Sequence, residues 1–528
     1  MTPIQLLIPM SGQGNRYQKA GYTQPKPLIP VSGIPMIERL LGCFPERWPT
    51  TFVLAINHKK TPLPAVLSGL RPQGQQIFIP KHALGPGHAI SSALAHMDPN
   101  GPVLVSYCDY GMVWSSRQFE DFVRESECDA CVVSYRGFHA HYLRQTNYAF
   151  SRLDNERVVE VREKGNFTND REQEFASCGA YYFRTVKILE RALKSQIEQN
   201  LSLNGEFYVS LTVQALLAAD PNAHVRVFEI PAFFQWGTPE DLRNFEYWEK
   251  GMSSASRNAS RPLAGVSQLL MPMAGKGSRF RSMTSIPKPF LQINEYRPMY
   301  AYALATLPPA KSEVFVALEE HRPHIDAAKA DSFTFLSQTP DGQALSTEAG
   351  LGNIDHSRDV LVSSCDHGLV LDPEAWGKFI KNPRCDAAIF VVRGYPGARR
   401  RPTAYAYVET VNDQDSYPKV SGVSVKKPLS DAPERDYILV GTFWFARGGL
   451  LQSAIARLKS ENIRVNGELY LDSIFPLMLA GGSIVRVIEL DGYVNWGDPD
   501  ALAEALYWQE VFSCHRLDRR PRFPGVKF

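Results

Sequence analysis

The sequence predicts two tandem α/β domains, each built on a mixed, mostly parallel sheet that is flanked by helices. Three observations support this prediction: the length, an internal repeat and the alternation of two kinds of segment. The chain has 528 residues, which is too long for one compact core and long enough for two or three domains. Its hydrophobic content of 44% and charged content of 21% are ordinary for a soluble globular protein.

The repeat consists of short words that recur at a nearly constant distance. SYCDYG (106–111) pairs with SSCDHG (363–368), and NGEFYVS (204–210) pairs with NGELYLD (466–472). The glycines of the second pair of words lie 467 − 205 = 262 positions apart. A domain-sized period indicates tandem domains rather than a solenoid. The predicted boundaries are a first domain at 1–250, a polar linker at 251–268, a second domain at 269–513 and a basic tail at 514–528.

Within each half, apolar runs of strand length alternate with amphipathic segments. In the first half, IQLLIPM (4–10) and PVLVSYCD (102–109) are such runs, and SRQFEDFVRESE (116–127) is amphipathic. This alternation predicts a parallel sheet covered by helices on both faces. Later segments such as SCGAYYFR (177–184) follow without long crossovers, so we expect a mixed extension of the sheet. Ligands bind beyond the carboxyl ends of the strands in such sheets.

Composition and charge narrow the class of function. The net charge of +2 gives no field that would attract nucleic acid or a membrane surface. No window approaches the ~18 apolar residues of a membrane span, and the N-terminus lacks the pattern of a signal peptide. Eight cysteines without metal-ligand spacing suit a reducing compartment. We therefore expect a cytoplasmic protein that acts on small molecules, with oligomerisation left open.

A glycine loop followed by an arginine and a lysine occurs in both halves, in LLIPMSGQGNRYQKAGYTQPKPL (6–28) and LLMPMAGKGSRFRSMTSIPKPF (269–290). Glycines let backbone N–H groups approach a phosphate closely, and an arginine can bind two phosphate oxygens at once. A tight turn beside solvated cations explains one copy equally well, but the recurrence favours phosphate binding. The loop lacks the third glycine of a dinucleotide fingerprint and the GK[ST] of a Walker A loop. The candidate residues are Gly12, Gly14, Arg16, Lys26, Gly275, Gly277, Arg279 and Lys288.

An aspartate closes an apolar strand in each half, at Asp109 and at Asp366. Mg²⁺ is often held by one or two carboxylates together with substrate phosphates, so these residues are candidate ligands of Mg²⁺. Helix capping is the alternative role for an aspartate at such a position.

The pattern GxGxR followed by PKP resembles the sugar-phosphate nucleotidyltransferases, the family that makes NDP-sugars and related activated head groups. The resemblance covers almost the whole chain, once per half, and implies two Rossmann-like domains. It implies that the glycine loop and arginine hold the triphosphate of an NTP, and that the lysine stabilises the reacting phosphate. It also implies that Mg²⁺ binds at Asp109 and Asp366. The family's second metal aspartate is replaced by the neutral Gln235 and Asn495, whose amide oxygens ligate Mg²⁺ only weakly or through water.

Further site residues follow from the same resemblance. The base-recognition word places Gln343 of DGQAL against a base edge and puts His88 of ALGPGHAI in the same place, although a histidine there is also an ordinary polar surface residue. The words REKG and VKKP imply acceptor binding by Glu163 and Lys164 in one half and by Lys427 in the other, where Lys426 replaces the glutamate. The remaining substrate-binding candidates are Gly179, Glu206, Gly441 and Glu468.

The predicted function is Mg²⁺-dependent transfer of a nucleotidyl group from an NTP to a phosphorylated acceptor, with release of pyrophosphate. The resemblance favours a sugar 1-phosphate as acceptor and a role in surface polysaccharide synthesis. Two alternatives stay open: a cytidylyltransferase for phosphocholine or another non-sugar phosphate, and a nucleotide- or sugar-sensing protein in which one or both domains are inactive.

Overall fold

The structure is a computed structural model that describes residues 2–144, 148–294, 297–326, 332–413 and 415–513. The contacts divide the chain into two compact units, the first ending at Glu246 and the second running over Tyr247–Phe512. The predicted linker at 251–268 is not irregular throughout, because its first residues complete the helix Pro239–Asn258 and its last ones begin a strand at Val266. The predicted basic tail at 514–528 lies outside the described residues.

Unit 1 is built on a nine-stranded sheet. Its strands are β1 (Gln5–Met10), β2 (Thr50–Ala55), β3 (Gln75–Ile79), β4 (Val103–Ser106), β5 (Ala130–Tyr135), β6 (Phe150–Asp154), β7 (Arg157–Arg162), β8 (Phe175–Phe183) and β9 (Val225–Glu229). The spatial order is β3-β2-β1-β4-β8-β5-β9, and the antiparallel pair β6–β7 joins the first residues of β8. Strands β1 to β4 are mutually parallel and β5 is parallel to β9, whereas β8 runs antiparallel to its neighbours.

Helices cover both faces of this sheet. The helices of unit 1 are α1 (Asn15–Lys19), α2 (Met36–Leu41), α3 (Leu63–Leu70), α4 (Pro86–Ser91), α5 (Ser116–Ser126), α6 (Val186–Glu198) and α7 (Val209–Ala219), and α8 (Pro239–Asn258) begins in unit 1 and continues past its end at Glu246. A short antiparallel ribbon, Tyr110–Val113 with Ala232–Gln235, lies beside the sheet. Successive residues of β1 enter two different apolar cores, Leu6 and Ile8 on one face and Leu7 on the other. This double burial explains why the parallel strands are apolar at nearly every position.

Unit 2 repeats the same architecture. Its strands are β10 (Val266–Pro272), β11 (Ala310–Leu318), β12 (Phe333–Leu336), β13 (Val360–Ser363), β14 (Ala387–Val392), β15 (Ala406–Val411), β16 (Lys419–Val425), β17 (Tyr437–Phe445) and β18 (Val485–Glu489). The spatial order is β12-β11-β10-β13-β17-β14-β18-β16-β15, with β17 again antiparallel between two parallel groups. The ribbon recurs as His367–Val370 with Gly492–Asn495.

The helices of unit 2 are α9 (Met299–Leu304), α10 (Gln343–Gly350), α11 (Pro373–Lys381), α12 (Pro396–Arg400), α13 (Gly448–Ser460), α14 (Ile474–Ala480) and α15 (Pro499–Ser513). Its core is centred on buried residues of the parallel strands, including Leu270, Val316 and Val362. The predicted fold class, two α/β domains with mixed and mostly parallel sheets, is confirmed. No helix in the described part of the chain combines the length and apolar composition that a bilayer crossing needs.

Candidate active site

The glycine loop of each unit follows the first strand of the sheet. Gly14 has a φ of 64° and Gly277 a φ of 57°, a left-handed conformation that favours glycine. A Cβ atom would lie 3.4 Å from Lys26 Cβ at the first position and 3.0 Å from Lys288 Cβ at the second. The second glycine of the loop therefore lets the backbone run closely past the lysine of the PKP word.

The first glycine of each loop faces open space. At Gly12 and at Gly275 no atom lies within 4 Å of the position that a Cβ would take. The backbone of the loop is therefore accessible to a ligand in both units, as phosphate binding through N–H groups requires.

The lysine and the aspartate predicted for phosphate and metal binding form an ion pair in each unit. Lys26 Nζ contacts Asp109 Oδ2, and Lys288 Nζ contacts Asp366 Oδ2 in the same way. Burial lowers the pKa of Lys288, but Asp366 and Cys365 together raise it by more, so the pKa lies above its usual value and the ammonium is stabilised. Burial likewise raises the pKa of Asp366, whereas Lys288 and His367 lower it by more, so this pKa lies well below its usual range.

The QWGTP and NWGDP segments lie directly against these aspartates. The Trp236 N–H donates to the carbonyl oxygen of Asp109 at 2.7 Å, and the Trp496 N–H donates to that of Asp366 at 2.8 Å. The glycine that follows each tryptophan leaves room for the carboxylate, because a Cβ would lie 3.3 Å from the Asp109 oxygen and 3.1 Å from the Asp366 oxygen. In each unit, this segment therefore forms one wall of the site around the aspartate.

A cavity of about 550 Å³ opens on the acceptor side of this site in unit 1. Of the predicted residues, it is lined by Arg16, Asp109, Glu163, Lys164, Gly179 and Gln235. The other loop residues, Gly12, Gly14 and Lys26, line a smaller cavity of about 170 Å³. In unit 1 the predicted residues thus surround two cavities, and the Lys26–Asp109 ion pair connects them.

Unit 2 gathers most of its predicted residues around one cavity of about 420 Å³ on the predicted nucleotide side, whose lining does not include Lys427, Gly441 or Asn495. It is lined by Gly275, Gly277, Arg279, Lys288, Gln343, Asp366 and Glu468. Gln343 Nε2 donates to Ser364 Oγ at 2.8 Å, which leaves the amide oxygen as its free acceptor.

The acceptor lysine of unit 1 is held by neighbours on two elements. Lys164 Nζ donates to Tyr208 Oη at 2.8 Å and lies 4.6 Å from the centroid of that ring. Glu163 accepts a hydrogen bond of 2.6 Å from the Ser210 hydroxyl, and burial raises the pKa of this glutamate. A cation and a carboxylate thus stand side by side in the wall of the cavity.

The structural counterpart of Lys164 is Lys426, so the prediction that Lys427 fills this place is wrong. Lys164 has a φ of 56° and Lys426 a φ of 61°, whereas Lys427 is an exposed residue one step further on. The Lys164 N–H donates to the Tyr148 carbonyl, and the Lys426 N–H donates to the Tyr405 carbonyl, both at 3.1 Å. The VKKP word offers two adjacent lysines, and only the backbone distinguishes them.

The carboxylate beside this lysine comes from a different element in unit 2. Lys426 lies 5.1 Å from the Tyr470 ring, as Lys164 lies against Tyr208. The place of Glu163 is taken by Val425, since 425 − 163 = 262, but the place of Ser210 is taken by an acid, Asp472. Lys426 also donates through Nζ to the carbonyl of Ala404 at 2.6 Å.

An arginine–aspartate pair that sequence analysis missed lies near each carboxylate site. Arg144 contacts Asp241 at 2.7 Å, and Arg401 contacts Asp498 at 2.5 Å. Asp241 also accepts from Gln235 Nε2 at 2.8 Å, so the pair helps to orient this candidate metal ligand. One signal in the sequence marks both arginines: each stands four residues before the tyrosine of TNYAF or TAYAY.

His88 does not occupy the place of Gln343, and that prediction is wrong. Gly85 caps α4 with a φ of 82°, and Gly342 caps α10 with a φ of 119°. The residue after the cap is Gln343 in unit 2 and Pro86 in unit 1. The word ALGPGHAI contains two glycines, and the sequence alone does not reveal which of them begins the helix.

Two hydrogen bonds fix this register independently. The Gly87 N–H donates to the Phe207 carbonyl at 2.8 Å, and the Ala344 N–H donates to the Leu469 carbonyl at 3.0 Å. The two acceptors occupy the same place in NGEFY and NGELY, so the first residue of α4 corresponds to the first residue of α10.

His82 is the histidine that borders the glycine loop. Its Nδ1 accepts from the Leu84 N–H at 3.2 Å, so its Nε2 is the donor in the 3.1 Å hydrogen bond with the Ser11 hydroxyl. The register places His82 at the position of Thr339, which lines the unit 2 cavity. Its ring contacts that of His88 at a centroid distance of 4.8 Å.

The predicted glycines and glutamates of the acceptor side occupy equivalent places. Gly179 has a φ of 94° and Gly441 a φ of 78°, which an L-residue rarely adopts. Glu206 pairs with Leu203 in an isolated β-bridge, and Glu468 pairs with Val465 in the same way. Glu468 also lines the unit 2 cavity.

The oxygen atoms of unit 2 can hold Mg²⁺ in part. Asp366 Oδ2 lies 3.1 Å, and Asn495 Oδ1 lies 2.9 Å, from the position that a Cβ would take at Gly497. The amide oxygen already accepts from the Gly497 N–H at 2.8 Å, but a carbonyl oxygen has a second lone pair. The two oxygens therefore border the same side of Gly497, with the Asp366 oxygen also in contact with Lys288.

The corresponding residues of unit 1, Asp109 and Gln235, line the same cavity. Within the ranges that the structure describes, no three His, Cys, Asp or Glu side chains are grouped so that they could hold a metal ion. The donors fit a Mg²⁺ ion that arrives with the phosphate oxygens of a substrate and completes its coordination with one carboxylate and one amide.

The chain resembles known proteins over each half. A stretch of 106 residues is 31% identical to the bifunctional protein GlmU of Paraburkholderia xenovorans and covers 20% of this chain and 22% of that protein. Among solved structures, a nucleoside-diphosphate-sugar pyrophosphorylase of Vibrio cholerae RC9 is 19% identical with a TM-score of 0.39, covering 46% of this chain and 99% of that one. The inositol-1-phosphate CTP transferase of T. maritima is 16% identical with a TM-score of 0.36, covering 47% and 98%.

The duplicated α/β fold and the repeated loop, lysine and aspartate define the class of nucleotidyltransferases. The chain belongs to the family of proteins with a MobA-like NTP transferase domain, whose model matches residues 6–166 and again residues 271–425. The stretch matched to GlmU spans about a fifth of that relative's length.

Proposed function

We propose that this protein transfers a nucleotidyl group from an NTP to a phosphorylated acceptor in a Mg²⁺-dependent reaction. The observation that carries the proposal is the ion pair between Lys26 and Asp109, repeated between Lys288 and Asp366, beside an accessible glycine loop in each unit. A structural ion pair alone would not need the open loop, and an anion site alone would not need the carboxylate.

In the proposed reaction an oxygen of the acceptor phosphate attacks the α-phosphorus of the NTP. The new P–O bond forms as the bond between the α-phosphorus and the bridging oxygen breaks, and pyrophosphate leaves with that electron pair. The nucleophile is supplied by the substrate, so the chain needs no nucleophilic side chain of its own. Catalysis then consists of positioning and charge neutralisation.

The residues of unit 1 divide these tasks. The loop amides at Gly12 and Gly14, with Arg16, hold the β- and γ-phosphates. Lys26 offsets the negative charge that develops at the α-phosphate, and Lys164 holds the acceptor phosphate. When bound, Mg²⁺ supplies further charge neutralisation, and Asp109 with Gln235 are the residues that would hold it. In unit 2 we propose the same roles for Gly275, Gly277, Arg279, Lys288, Lys426, Asp366 and Asn495, with Gln343 at the base.

We propose a sugar 1-phosphate as the acceptor and an NDP-sugar for surface polysaccharide synthesis as the product, on the strength of the sequence resemblance. The second candidate is a phosphorylated quaternary amine such as phosphocholine. It is favoured by the aromatic side chains that line the unit 1 cavity, since their ring faces attract cations. These side chains are Tyr107, Tyr110, Tyr148, Tyr181, Tyr208 and Phe233.

The experiment is an assay of pyrophosphate release by the full chain with Mg²⁺, using ATP, CTP, GTP, UTP and dTTP in turn. Each nucleotide is offered with glucose 1-phosphate, mannose 1-phosphate or phosphocholine, and EDTA provides the metal-free control. We expect release with at least one pair and its loss in EDTA. No release from any pair, combined with tight NTP binding, would replace this proposal by nucleotide sensing.

A further inference from the structure

Each unit has a carboxylate near its predicted acceptor lysine, but the carboxylate belongs to a different element in each unit. One contact joins these two elements, and the acid stands on one partner of this contact in unit 1 and on the other partner in unit 2. In unit 1, Glu163 follows β7 and accepts from Ser210 at 2.6 Å. In unit 2, Val425 stands at the position of Glu163, and Asp472 stands at the position of Ser210. The acid is therefore absent from the strand end and present on the facing turn. The lysine between them keeps its backbone hydrogen bond and its place against a tyrosine ring, but its ammonium differs: Lys164 donates to Tyr208 Oη, and Lys426 donates to the Ala404 carbonyl.

We infer that Asp472 is the acceptor-binding carboxylate of unit 2, and that the two units consequently act on different phosphorylated acceptors. This inference rests on the proposed function. Both acceptors would place a phosphate at the lysine and a hydrogen-bond donor, a hydroxyl or an ammonium, at the carboxylate. Because the carboxylate approaches from the turn Leu471–Ser473 in unit 2 and from the strand end in unit 1, that donor group must point in a different direction.

The surroundings of Asp472 combine burial with a neighbouring cation. Burial raises its pKa to about 6, and Lys426 opposes this shift. Burial lowers the pKa of Lys426, while Asp472 and Glu468 raise it and Arg279 lowers it. The acid and the lysine therefore stabilise each other's charged forms beside Tyr470, which carries the same ring contact as its counterpart in unit 1.

A second relocation of a carboxylate supports the same conclusion. In unit 1 the partner of Arg144 is Asp241, the third residue of α8, whereas Thr238 precedes that helix. In unit 2 the partner of Arg401 is Asp498, which stands at the position of Thr238 and precedes α15. A unit that had lost its chemistry would have no physical need to restore a displaced acid at two separate positions.

The test separates the units by inactivating one of them in the full chain. Asp109→Ala leaves unit 2 as the working site, and Asp366→Ala leaves unit 1. Pyrophosphate release is measured for each chain with the nucleotides and acceptors named above, and the KM of nucleotide and acceptor are determined separately. We expect the two chains to prefer different acceptors.

Within the Asp109→Ala chain, Asp472→Ser is expected to raise the KM for the acceptor about 10- to 100-fold, the loss of one charge-assisted hydrogen bond, with the KM for NTP unchanged within about twofold. Val425→Glu combined with Asp472→Ser restores the arrangement of unit 1. It should recover turnover with a preference shifted toward the acceptor of the Asp366→Ala chain. Glu409→Gln, on the exposed edge of β15, controls for the loss of a negative charge.

A pH profile supplies a readout that a purely structural role would not move. Asp472 is ionised above pH 6, so the KM for the acceptor in the Asp109→Ala chain should rise as the pH falls from 7 to 5. The charged and titratable groups that interact with it are Lys426 and Tyr470, and these two in turn interact with Arg279 and Glu468. The acceptor phosphate titrates in the same pH range. The readout is therefore the difference between the pH profile of the acceptor KM in the Asp109→Ala chain and the profile in the same chain with Asp472→Asn. This substitution keeps the shape of the side chain and should remove the contribution of Asp472.

Three results would overturn the inference. They are the same acceptor ranking in both single-unit chains, an unchanged acceptor KM in Asp472→Ser and Asp472→Asn, and no turnover by the Asp109→Ala chain with NTP still bound. In each case, release by the Asp366→Ala chain would leave the proposed function of unit 1 intact. Loss of release in both chains and in the wild type would instead contradict the proposed function itself.

Discussion

The two units share one architecture and one ion pair, but they differ in the surroundings of that pair. Unit 1 has its large cavity on the acceptor side, about 550 Å³, with an aromatic lining. Unit 2 has a cavity of about 420 Å³ on the nucleotide side, where Gln343 replaces Pro86. The parts that recur are those for which we propose neutralisation of phosphate charge, and the parts that differ are those for which we propose contact with the base or the acceptor. On the proposed function, the two units therefore share the means of catalysis and differ in what they recognise.

The largest expected effect tests whether the arginine–aspartate pair matters equally in both units. Arg144 is 17% exposed and Asp241 7%, so Arg144→Ala leaves a buried carboxylate without its cation and should destabilise unit 1 by about 3 kcal/mol. Asp498 is equally buried at 7%, but Arg401 is 47% exposed, so water that replaces its side chain can reach the acid and Arg401→Ala should cost unit 2 only about 1 kcal/mol. Hydrogen exchange of the strands, resolved for each unit, measures both values. Equal protection losses in the two variants would show that exposure does not control the strength of this pair.

The next effect addresses the part that the two units share. Lys26→Ala and Lys288→Ala each remove a charge-assisted contact worth about 1.5–3 kcal/mol, so each should slow its own unit about 10- to 100-fold. Steady-state turnover with the acceptor of each unit gives the comparison, and Lys19→Ala, on the exposed end of α1, is the matched control. An unaltered rate for either lysine variant would remove that lysine from the mechanism.

The smallest effect concerns the glycines that face the acceptor. A Cβ at Gly179 would lie 2.9 Å from the Tyr107 ring, whereas a Cβ at Gly441 would lie 3.3 Å from the smaller Ser364 hydroxyl. Both positions have positive φ, so alanine is strained in each, by about 2 kcal/mol at the first and about 1 kcal/mol at the second. Urea unfolding of the two variants measures this difference. A larger penalty at Gly441 would reverse the predicted order.

The spacing of the repeated words predicted those site residues whose offset between the two halves is nearly constant. Gly14, Lys26 and Asp109 recur at nearly constant offsets, so their meeting in one place could be predicted. The offset falls from 288 − 26 = 262 at the lysine to 366 − 109 = 257 at the aspartate, which lies in a part of the chain where the second half is shorter. His88 lies between Lys26 and Asp109, where the offset changes, and its predicted correspondence with Gln343 is wrong.

The other wrong or missing predictions depended on backbone and tertiary geometry, which the amino-acid sequence does not show directly. Lys426 and Lys427 are chemically identical, and only the left-handed backbone of the first distinguishes them. Arg144 and Asp241 lie 241 − 144 = 97 residues apart in the chain, so no local pattern joins them. The sequence shows Asp472 only as part of a repeated word, because its proposed role depends on the absence of an acid at Val425.

One measurement tests the central claim most directly: Mg²⁺-dependent pyrophosphate release by the wild type, Asp109→Ala and Asp366→Ala. The account predicts that each variant loses the activity with one acceptor by about 10²–10³-fold and keeps the activity with the other. Loss of every activity in Asp109→Ala together with no change in Asp366→Ala would contradict it, because unit 2 would then be a bystander to the chemistry.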